Sequence, residues 1–195
     1  MKIIDISQEV MGCRVFPGDS APCKRIAASM ENGDLYNLTE FSMCAHNGTH
    51  IDAPFHFIKD GKTVDEIPLD CFVGVCYVAE HNGELKRTDA YRIMKHAAEA
   101  DAKERVLIKG DAIVTEEAAR VFALSGIKLL GNESQTVGPP DGPMAVHKIL
   151  LEKGIVLLEG INLASAHEGQ YFLSAAPLNF EGFDGSPCRA YLIEG

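Results

Sequence analysis

The chain has 195 residues, of which 46% are hydrophobic and 24% are charged, and these values are ordinary for a globular domain. A chain of this length suits one domain, so we expect residues 1–195 to form a single folded unit. The formal net charge of -10 argues against nucleic acids and anionic membrane surfaces as partners, and no apolar run approaches the ~20 residues that span a bilayer.

Strand-like and helix-like segments alternate along the chain. Seven runs are predicted to be strands: 2–6, 38–45, 74–80, 105–110, 128–131, 154–163 and 188–194. Three segments start at residues typical of helix N-termini and are predicted to be helices: 89–99 capped by Thr88, 116–124 capped by Thr115, and 143–152 opened by Pro143 and closed by Gly154. This mixture predicts an α/β fold with both parallel and antiparallel pairing.

The six cysteines lack the C-x-x-C spacing of redox and zinc-ribbon motifs. The first residues, MKIIDIS, reach Asp5 after a short apolar pair, which does not fit the core of a signal peptide. We therefore expect a cytoplasmic protein whose cysteines are free thiols.

Residues 44–57, with the sequence CAHNGTHIDAPFHF, contain three of the seven histidines. Side chains alternate between the two sides of an extended segment, so an extended 46–52 would direct His46, His50 and Asp52 to one side. Two imidazoles and a carboxylate on one side suit Zn²⁺, Mn²⁺ or Fe²⁺. We therefore expect a metal site here.

The same segment contains a further histidine after a predicted break. Pro54 has no N–H and should end the strand pairing, which frees the chain to bend. His56 could then return over the metal site, where an extra imidazole would serve as a general acid and base.

A second pair of ligand-type residues follows about a hundred positions later. Glu159 should share a strand face with Leu157 and Ile161, and a buried carboxylate is costly unless it is paired or binds a cation. His147 lies on a partly apolar face of the preceding predicted helix. Together, His147 and Glu159 are candidates for a second half of the metal site.

The pattern H-x-G-T-H-x-D-x-P-x-H, from His46 to His56, resembles the signature of the cyclase family of metal-dependent hydrolases. That family includes bacterial kynurenine formamidases and isatin hydrolases. Other segments resemble the family in the same order: Phe-Pro-Gly-Asp at 16–19, Leu-Leu-Gly at 129–131, the spacing of His147 and Glu159, and D-G-S-P-C-R at 184–189. The resemblance covers nearly the whole chain.

The resemblance implies a three-layer β/β/α swivelling domain with mixed sheets, usually assembled as a homo-oligomer. It implies that His46, His50 and Asp52 hold a first divalent ion. Asp52 would reach a second ion bound by His147, and Glu159 would contact one or both. Zn²⁺ is the first expectation for these ions and Mn²⁺ the second.

The resemblance also implies an activity, the hydrolysis of an amide, a formamide or a cyclic imide of small size, with N-formylkynurenine as the leading substrate. His56 would be the general acid and base. Formamidases of the family usually carry tryptophan before Pro-Gly-Asp, whereas this chain has Phe16 there and contains no tryptophan. Phe16 is therefore the expected substrate-binding residue, and it keeps ring stacking without the indole N–H.

Two other functions are consistent with parts of the pattern. His50, Asp52 and His147 imitate the two-histidine, one-carboxylate triad of non-haem Fe(II) oxygenases, although this leaves the other candidates unexplained. A non-catalytic metal-binding domain is the second alternative. It would leave His56 without a role, because a structural metal site is closed and needs no spare base.

Overall fold

The computed structural model describes residues 1–195 and contains thirteen strands and three α-helices. The strands are β1 Lys2–Asp5, β2 Cys23–Ala28, β3 Leu38–Ser42, β4 His50–Asp52, β5 Val73–Glu80, β6 Gly83–Leu85, β7 Arg105–Lys109, β8 Ala112–Val114, β9 Leu129–Asn132, β10 Val156–Glu159, β11 Gly169–Ser174, β12 Gly185–Pro187 and β13 Tyr191–Glu194. The helices are α1 Arg87–Glu99, α2 Glu116–Leu124 and α3 Met144–Leu151.

Nine strands form one mixed sheet in the order β1-β13-β11-β5-β7-β9-β10-β4-β12. The strands β5, β7, β9 and β10 are parallel, and the strands that flank them on both sides are antiparallel. The prediction of parallel and antiparallel pairing is therefore confirmed. Two pairs stand apart from this sheet, the antiparallel hairpin β2–β3 and the short parallel pair β6–β8.

The large sheet curls so that its two ends face each other. Ile4 on β1 and Ile51 on β4 come from opposite ends of the strand order, yet both belong to one buried apolar cluster. A second cluster joins the outer face of the sheet to all three helices, through side chains such as Ile93, Phe122 and Leu150. Two facing sheet layers and one helical layer result, which confirms the predicted β/β/α arrangement.

The predicted helices are all present: α2 has the predicted bounds, α3 is one residue shorter at each end than predicted, and α1 begins two residues early. Thr115 caps α2 as predicted, since its hydroxyl accepts a hydrogen bond from the Ala118 amide at 3.3 Å. Thr88 does not cap α1, which begins at Arg87. The Lys86 amide instead donates a hydrogen bond of 3.1 Å to the Asp89 carboxylate, which satisfies the helix end two residues before the predicted cap.

All seven predicted strands overlap observed ones, and β4 lies within the stretch 46–52 that was expected to be extended, but five other strands were not predicted. Three of these, β6, β8 and β12, have only three residues each, too few for a periodic pattern to appear. The predicted strand 38–45 ends at Ser42. None of the helices is long and apolar enough to cross a membrane. All six cysteines are free thiols.

Candidate metal and catalytic site

Strand β4 carries the first ligand candidates into the centre of the molecule. It lies between β10 and β12, and its antiparallel register with β10 sets His50 opposite Glu159 and Asp52 opposite Leu157. His50 and Asp52 are two residues apart and therefore share one side of the strand, as predicted. Both are 1% exposed, so their charges are withdrawn from water.

The segment before β4 is not extended, and in this respect the prediction for 46–52 is wrong. Residues 45–49 form a turn, in which Gly48 has a φ of +67°, a conformation that glycine adopts without strain. The side-chain oxygen of Asn47 accepts a hydrogen bond from the Cys44 amide at 2.9 Å and stabilises the turn. His46 nevertheless returns to Asp52, with 2.8 Å between its Nδ1 and Oδ1 of the carboxylate.

The structure brings the two distant ligand pairs together. His147 on α3 lies with its Nε2 atom 3.1 Å from Oε1 of Glu159 and 3.5 Å from Oδ2 of Asp52. His147 is 2% exposed and Glu159 is 3% exposed. Four side chains from β4, α3 and β10 thus form a buried group, which we call the closed end of the site: His50, Asp52, His147 and Glu159.

Backbone carbonyls hold both imidazoles of the closed end in one orientation. Nδ1 of His50 lies 2.9 Å from the Gly48 carbonyl, and Nδ1 of His147 lies 2.9 Å from the Pro143 carbonyl. A carbonyl only accepts hydrogen bonds, so each Nδ1 carries the proton in the neutral ring. In the neutral rings both Nε2 atoms would therefore face the carboxylates with a free lone pair, the state that a metal ligand requires.

The surroundings of Glu159 differ in part from the prediction. Leu157 shares its face of β10 and packs against the helices, but Ile161 lies beyond the end of the strand in the other apolar cluster. Glu159 Oε1 also accepts a hydrogen bond from the Val137 amide at 2.7 Å. Since β10 is flanked by β9 and β4, the carboxylate is not on an edge strand in water.

The closed end fits a divalent cation. Oδ2 of Asp52 is buried and forms no hydrogen bond, an expensive state for a carboxylate oxygen. Two sets of three side chains each offer ligand atoms that lie within 4.8 Å of one another inside the set. One set is His46, Asp52 and His56, and the other is His50, Asp52 and Glu159. Asp52 belongs to both sets, and imidazole with carboxylate is the donor chemistry of Zn²⁺ and related ions.

Toward the cavity, three further side chains form what we call the open end of the site: His46, His56 and Asp184. Their side chains are 14%, 26% and 42% exposed. Pro54 ends β4 and starts the short 3-10 turn Pro54–His56, which brings the His56 ring to 4.1 Å from the His46 ring between centroids. The predicted return of His56 over the site is thus what the structure contains.

Electrostatics in the metal-free site favour protonated imidazoles beside ionised acids. Burial lowers the pKa of His46, but hydrogen bonds to Asp184 and Asp52 outweigh burial and raise it to about 11. Burial opposes the same effect in His50 and His147, where neighbouring carboxylates raise the pKa to about 9 and about 10. A bound cation can replace these protons, because it neutralises the same carboxylates.

Ionised carboxylates are the counterpart of these protonated rings. Burial would raise the pKa of Asp52, but the facing imidazoles of His147, His46 and His50 hold it well below its usual range. Hydrogen bonds from His46 and His56 likewise lower the pKa of Asp184 far below normal.

The site opens into a cavity of about 220 Å³ that its histidines line together with Phe16, Phe57 and Gln135. A larger cavity of about 510 Å³ adjoins it and shares Phe16, Gln135 and Thr136 as lining residues. Phe16, predicted to bind substrate, therefore lies where the two cavities meet. An open cavity beside the ligands does not suit a closed structural metal site.

Asp184 is the site residue that the sequence analysis did not assign. It opens the D-G-S-P segment that resembled the cyclase family, but residue type alone gave it no role. Nothing in its local sequence shows that it meets histidines 128 and 138 positions away. The sequence signal that could have identified Asp184 as a site residue is its position directly before the glycine of the D-G-S-P motif.

Comparison with known proteins identifies the family. The family model "Putative cyclase" matches residues 4–165, which is most of the chain. The chain belongs to the cyclase family. Among its relatives, a kynurenine formamidase of Salinibacter ruber is 34% identical over 210 residues, covering 98% of this chain and 97% of that protein. A kynurenine formamidase of Erythrobacter litoralis is 32% identical and covers 99% of this chain and 94% of its own length.

Solved structures agree with this assignment. A potential metal-dependent hydrolase with cyclase activity superimposes with a TM-score of 0.80 at 28% identity, covering 100% of this chain and 99% of that one. Isatin hydrolase A from Labrenzia aggregata has a TM-score of 0.84 at 23% identity, covering 98% and 93% of the two chains. The second likeness bears on the fold alone.

Proposed function

We propose that this protein is a metal-dependent hydrolase of small arylformamides of the N-formylkynurenine type. Its membership in the cyclase family and its full-length kynurenine formamidase relatives make it a hydrolase that acts on carbon–nitrogen bonds other than peptide bonds. The observation that carries the finer proposal is the unpaired, buried Asp52 oxygen among three imidazoles, with a further imidazole, His56, on the cavity wall.

The proposed metal ligands are His46, His50, Asp52, His147 and Glu159, which would hold one or two divalent ions, Zn²⁺ as the first candidate and Mn²⁺ as the second. When bound, such an ion would polarise the carbonyl of the substrate and lower the pKa of water from about 15.7 toward ~7. The carbonyl groups that accept from Nδ1 of His50 and His147 support this ligand set, because they leave Nε2 free in both rings.

His56 is the proposed general acid and base. Its ring lines the cavity and its Nδ1 is engaged by Asp184, so Nε2 is the nitrogen available to a reacting group. Nε2 would take a proton from the attacking water and deliver it to the amine nitrogen as the carbon–nitrogen bond breaks. Proton transfer of this kind contributes ~10²–10⁴-fold to the rate.

The two adjoining cavities support an elongated substrate with the scissile bond in the smaller one. Phe16 lines both cavities and presents a ring at their junction. We propose that it stacks on the aryl ring of the substrate, as the family resemblance implied. The remainder of the substrate would then extend into the larger cavity.

Metal analysis followed by substrate assays tests this function. The purified protein is expected to retain a divalent ion and, after loading with Zn²⁺ or Mn²⁺, to release formate from N-formylkynurenine and from simpler arylformamides. Ring opening of cyclic imides without formamide hydrolysis would show that cyclic imides, and not arylformamides, are the substrate class. Oxygen consumption with Fe²⁺ would favour the oxygenase alternative, and the absence of any retained or bound divalent ion would refute the proposal.

We also propose that the protein assembles as a homodimer through the β2–β3 hairpin. The hairpin exposes Ile26, Leu38 and Phe41 at 58%, 45% and 63%, and an isolated two-stranded hairpin is marginally stable in water. Sedimentation should give a dimer, and Phe41→Glu should give a folded monomer; a monomeric unsubstituted protein would refute this.

A further inference from the structure

One oxygen of Asp184 lies between the two histidines of the open end. Its Oδ2 is 2.9 Å from Nε2 of His46 and 3.2 Å from Nδ1 of His56. The backbone at this point is fixed by the sheet, because Asp184 directly precedes β12 and its carbonyl accepts a hydrogen bond from the Ala53 amide at 2.9 Å. The carboxylate is therefore held by β4 and β12 rather than by a free loop.

The direction of these hydrogen bonds determines where the protons of both rings lie. An ionised carboxylate only accepts, so the ring nitrogens that face it must donate. His46 faces a carboxylate at each nitrogen, Asp184 at Nε2 and Asp52 at Nδ1, so both nitrogens donate as long as no cation is bound. If a cation takes the place of the Nδ1 proton, Asp184 holds the remaining proton on Nε2. In neutral His56 the proton lies on Nδ1, which leaves the Nε2 lone pair for the cavity.

We propose that Asp184 is a positioning residue that holds a proton on Nε2 of His46 and on Nδ1 of His56. Through His46 it makes Nδ1 the nitrogen available to a metal ion, and through His56 it makes Nε2 the nitrogen that accepts a proton. This inference rests on the proposed function for the role of His56, but the position of the His56 proton and the hydrogen bond from Nε2 of His46 to Asp184 are properties of the folded chain alone. A hydrogen bond that the outer N–H of a ligating histidine donates to a carboxylate orients the ring and raises its basicity.

The residue after Asp184 supports the same arrangement independently. A Cβ atom on Gly185 would lie 2.5 Å from Cε1 of His46 and 2.9 Å from the Ile51 carbonyl oxygen, distances that no side chain could adopt without displacing its neighbours. Because Gly185 has no side chain, the His46 ring can pack against β12. Asp184 and Gly185 together form the wall against which His46 is oriented.

The competing explanation is that Asp184 only stabilises the 180–187 segment. Asp65 offers a matched control, since its Oδ1 accepts a hydrogen bond from the Gly182 amide at 2.9 Å and holds the same segment. Asp65 makes no contact with a histidine; its side-chain partner is the Thr63 hydroxyl at 2.7 Å. Asp65→Asn should lower thermal stability and leave the site histidines unchanged.

The test uses Asp184→Ala, which removes the acceptor, and Asp184→Asn, which keeps one acceptor oxygen without the charge. Nitrogen NMR of ring-labelled protein should show His56 with its proton on Nδ1 in the unsubstituted chain and shifted toward Nε2 in Asp184→Ala. Competition with a chromophoric chelator should show Zn²⁺ affinity lowered ~10–100-fold. With an arylformamide, kcat should fall ~10–100-fold and KM should change little.

Asp184→Asn should keep the tautomer signal and part of kcat but still bind Zn²⁺ more weakly, because a neutral amide no longer raises the basicity of His46. Its Zn²⁺ affinity decides the matter if the alanine variant does not fold. The proposal is overturned if both Asp184 variants keep the original tautomers and Zn²⁺ affinity, or if Asp65→Asn shifts these as much as Asp184→Ala does. The tautomer and Zn²⁺ measurements need no substrate. A protein without formamidase activity would therefore refute the proposed function and still decide this inference.

Discussion

The closed and open ends of the site consist of similar residues in different surroundings. The side chains of the closed end are at most 3% exposed, whereas those of the open end range from 14% to 42%. Backbone carbonyls fix the imidazoles of the closed end, and the side chain of Asp184 fixes those of the open end. The difference supports the proposal that the closed end holds an ion, which His46 reaches from the open end, and that His56 at the open end exchanges protons with a substrate.

The largest expected effect comes from the closed end. Asp52→Asn removes the carboxylate that both candidate ligand sets share, and it should abolish metal retention and lower turnover by more than ~10⁴-fold, because the activation of water by the ion is lost. Metal content per chain and formate release measure the two effects. Asp70→Asn, at an exposed carboxylate paired with Lys128, is the control and should retain both.

Retention of the metal by Asp52→Asn would contradict the assignment of the closed end as the ion-binding part. Circular dichroism must show that the variant is folded. Glu159→Gln provides a second variant at the same end, with the same expected loss of metal.

The open end should separate turnover from metal binding. His56→Ala is expected to keep its metal content and to lose ~10²–10⁴-fold in kcat, because the proton-transfer group is gone. His96→Ala, which removes a surface imidazole near Glu168, is the matched control and should behave like the unsubstituted protein. A His56→Ala variant that stays fully active would remove His56 from the mechanism. A His56→Ala variant that loses its metal would instead show that His56 contributes to metal binding.

The metal-free protein should respond to pH through the histidines with raised pKa values. A group whose pKa is raised by folding stabilises the folded state below its unfolded pKa of about 6.5 and loses that contribution as pH rises through its folded value. For His50, His147 and His46 the folded values are about 9, about 10 and about 11. Stability should therefore fall steadily between pH 7 and pH 10 after removal of the metal.

Thermal unfolding of the chelator-treated protein checks this prediction. The melting temperature should drop by at least about 2–4 °C over that range, which corresponds to ~1 kcal/mol for a chain of this size. The metal-loaded protein is the control and should show a smaller drop, since the ion keeps the same rings deprotonated at both pH values. Equal pH dependence with and without metal would show that the ion does not contact these histidines.

The sequence was most informative where local pattern and chemistry coincide. The prediction of α2 was confirmed because Thr115 and the acidic first turn act within one element. His50 and Asp52 were expected on one side because they are two residues apart on a strand. The turn at 45–49 was missed, since Gly48 fits an extended chain as readily as a left-handed turn.

The rest depends on pairing between distant segments. The register of β4 with β10 sets Glu159 opposite His50, and the register of β4 with β12 brings Asp184 to the open end. Neither register can be derived from strands of three or four residues, because the hydrophobic pattern that fixes register is too short. The resemblance to the cyclase family supplied the pairing of the two ligand segments, but it gave Asp184 no role.

The smallest expected effect concerns the substrate ring at the junction of the two cavities. Phe16→Leu keeps an apolar side chain there and removes the ring, so it should raise KM for an arylformamide by ~2–10-fold, which corresponds to the ~0.5–1.5 kcal/mol of an aromatic pair. Metal content and kcat should stay nearly constant, because Phe16 belongs to neither candidate ligand set. Phe16→Trp is the matched variant and should restore or lower KM, since the indole offers a larger ring. A change in kcat without a change in KM would assign Phe16 to the closure of the cavity rather than to the binding of the aryl group.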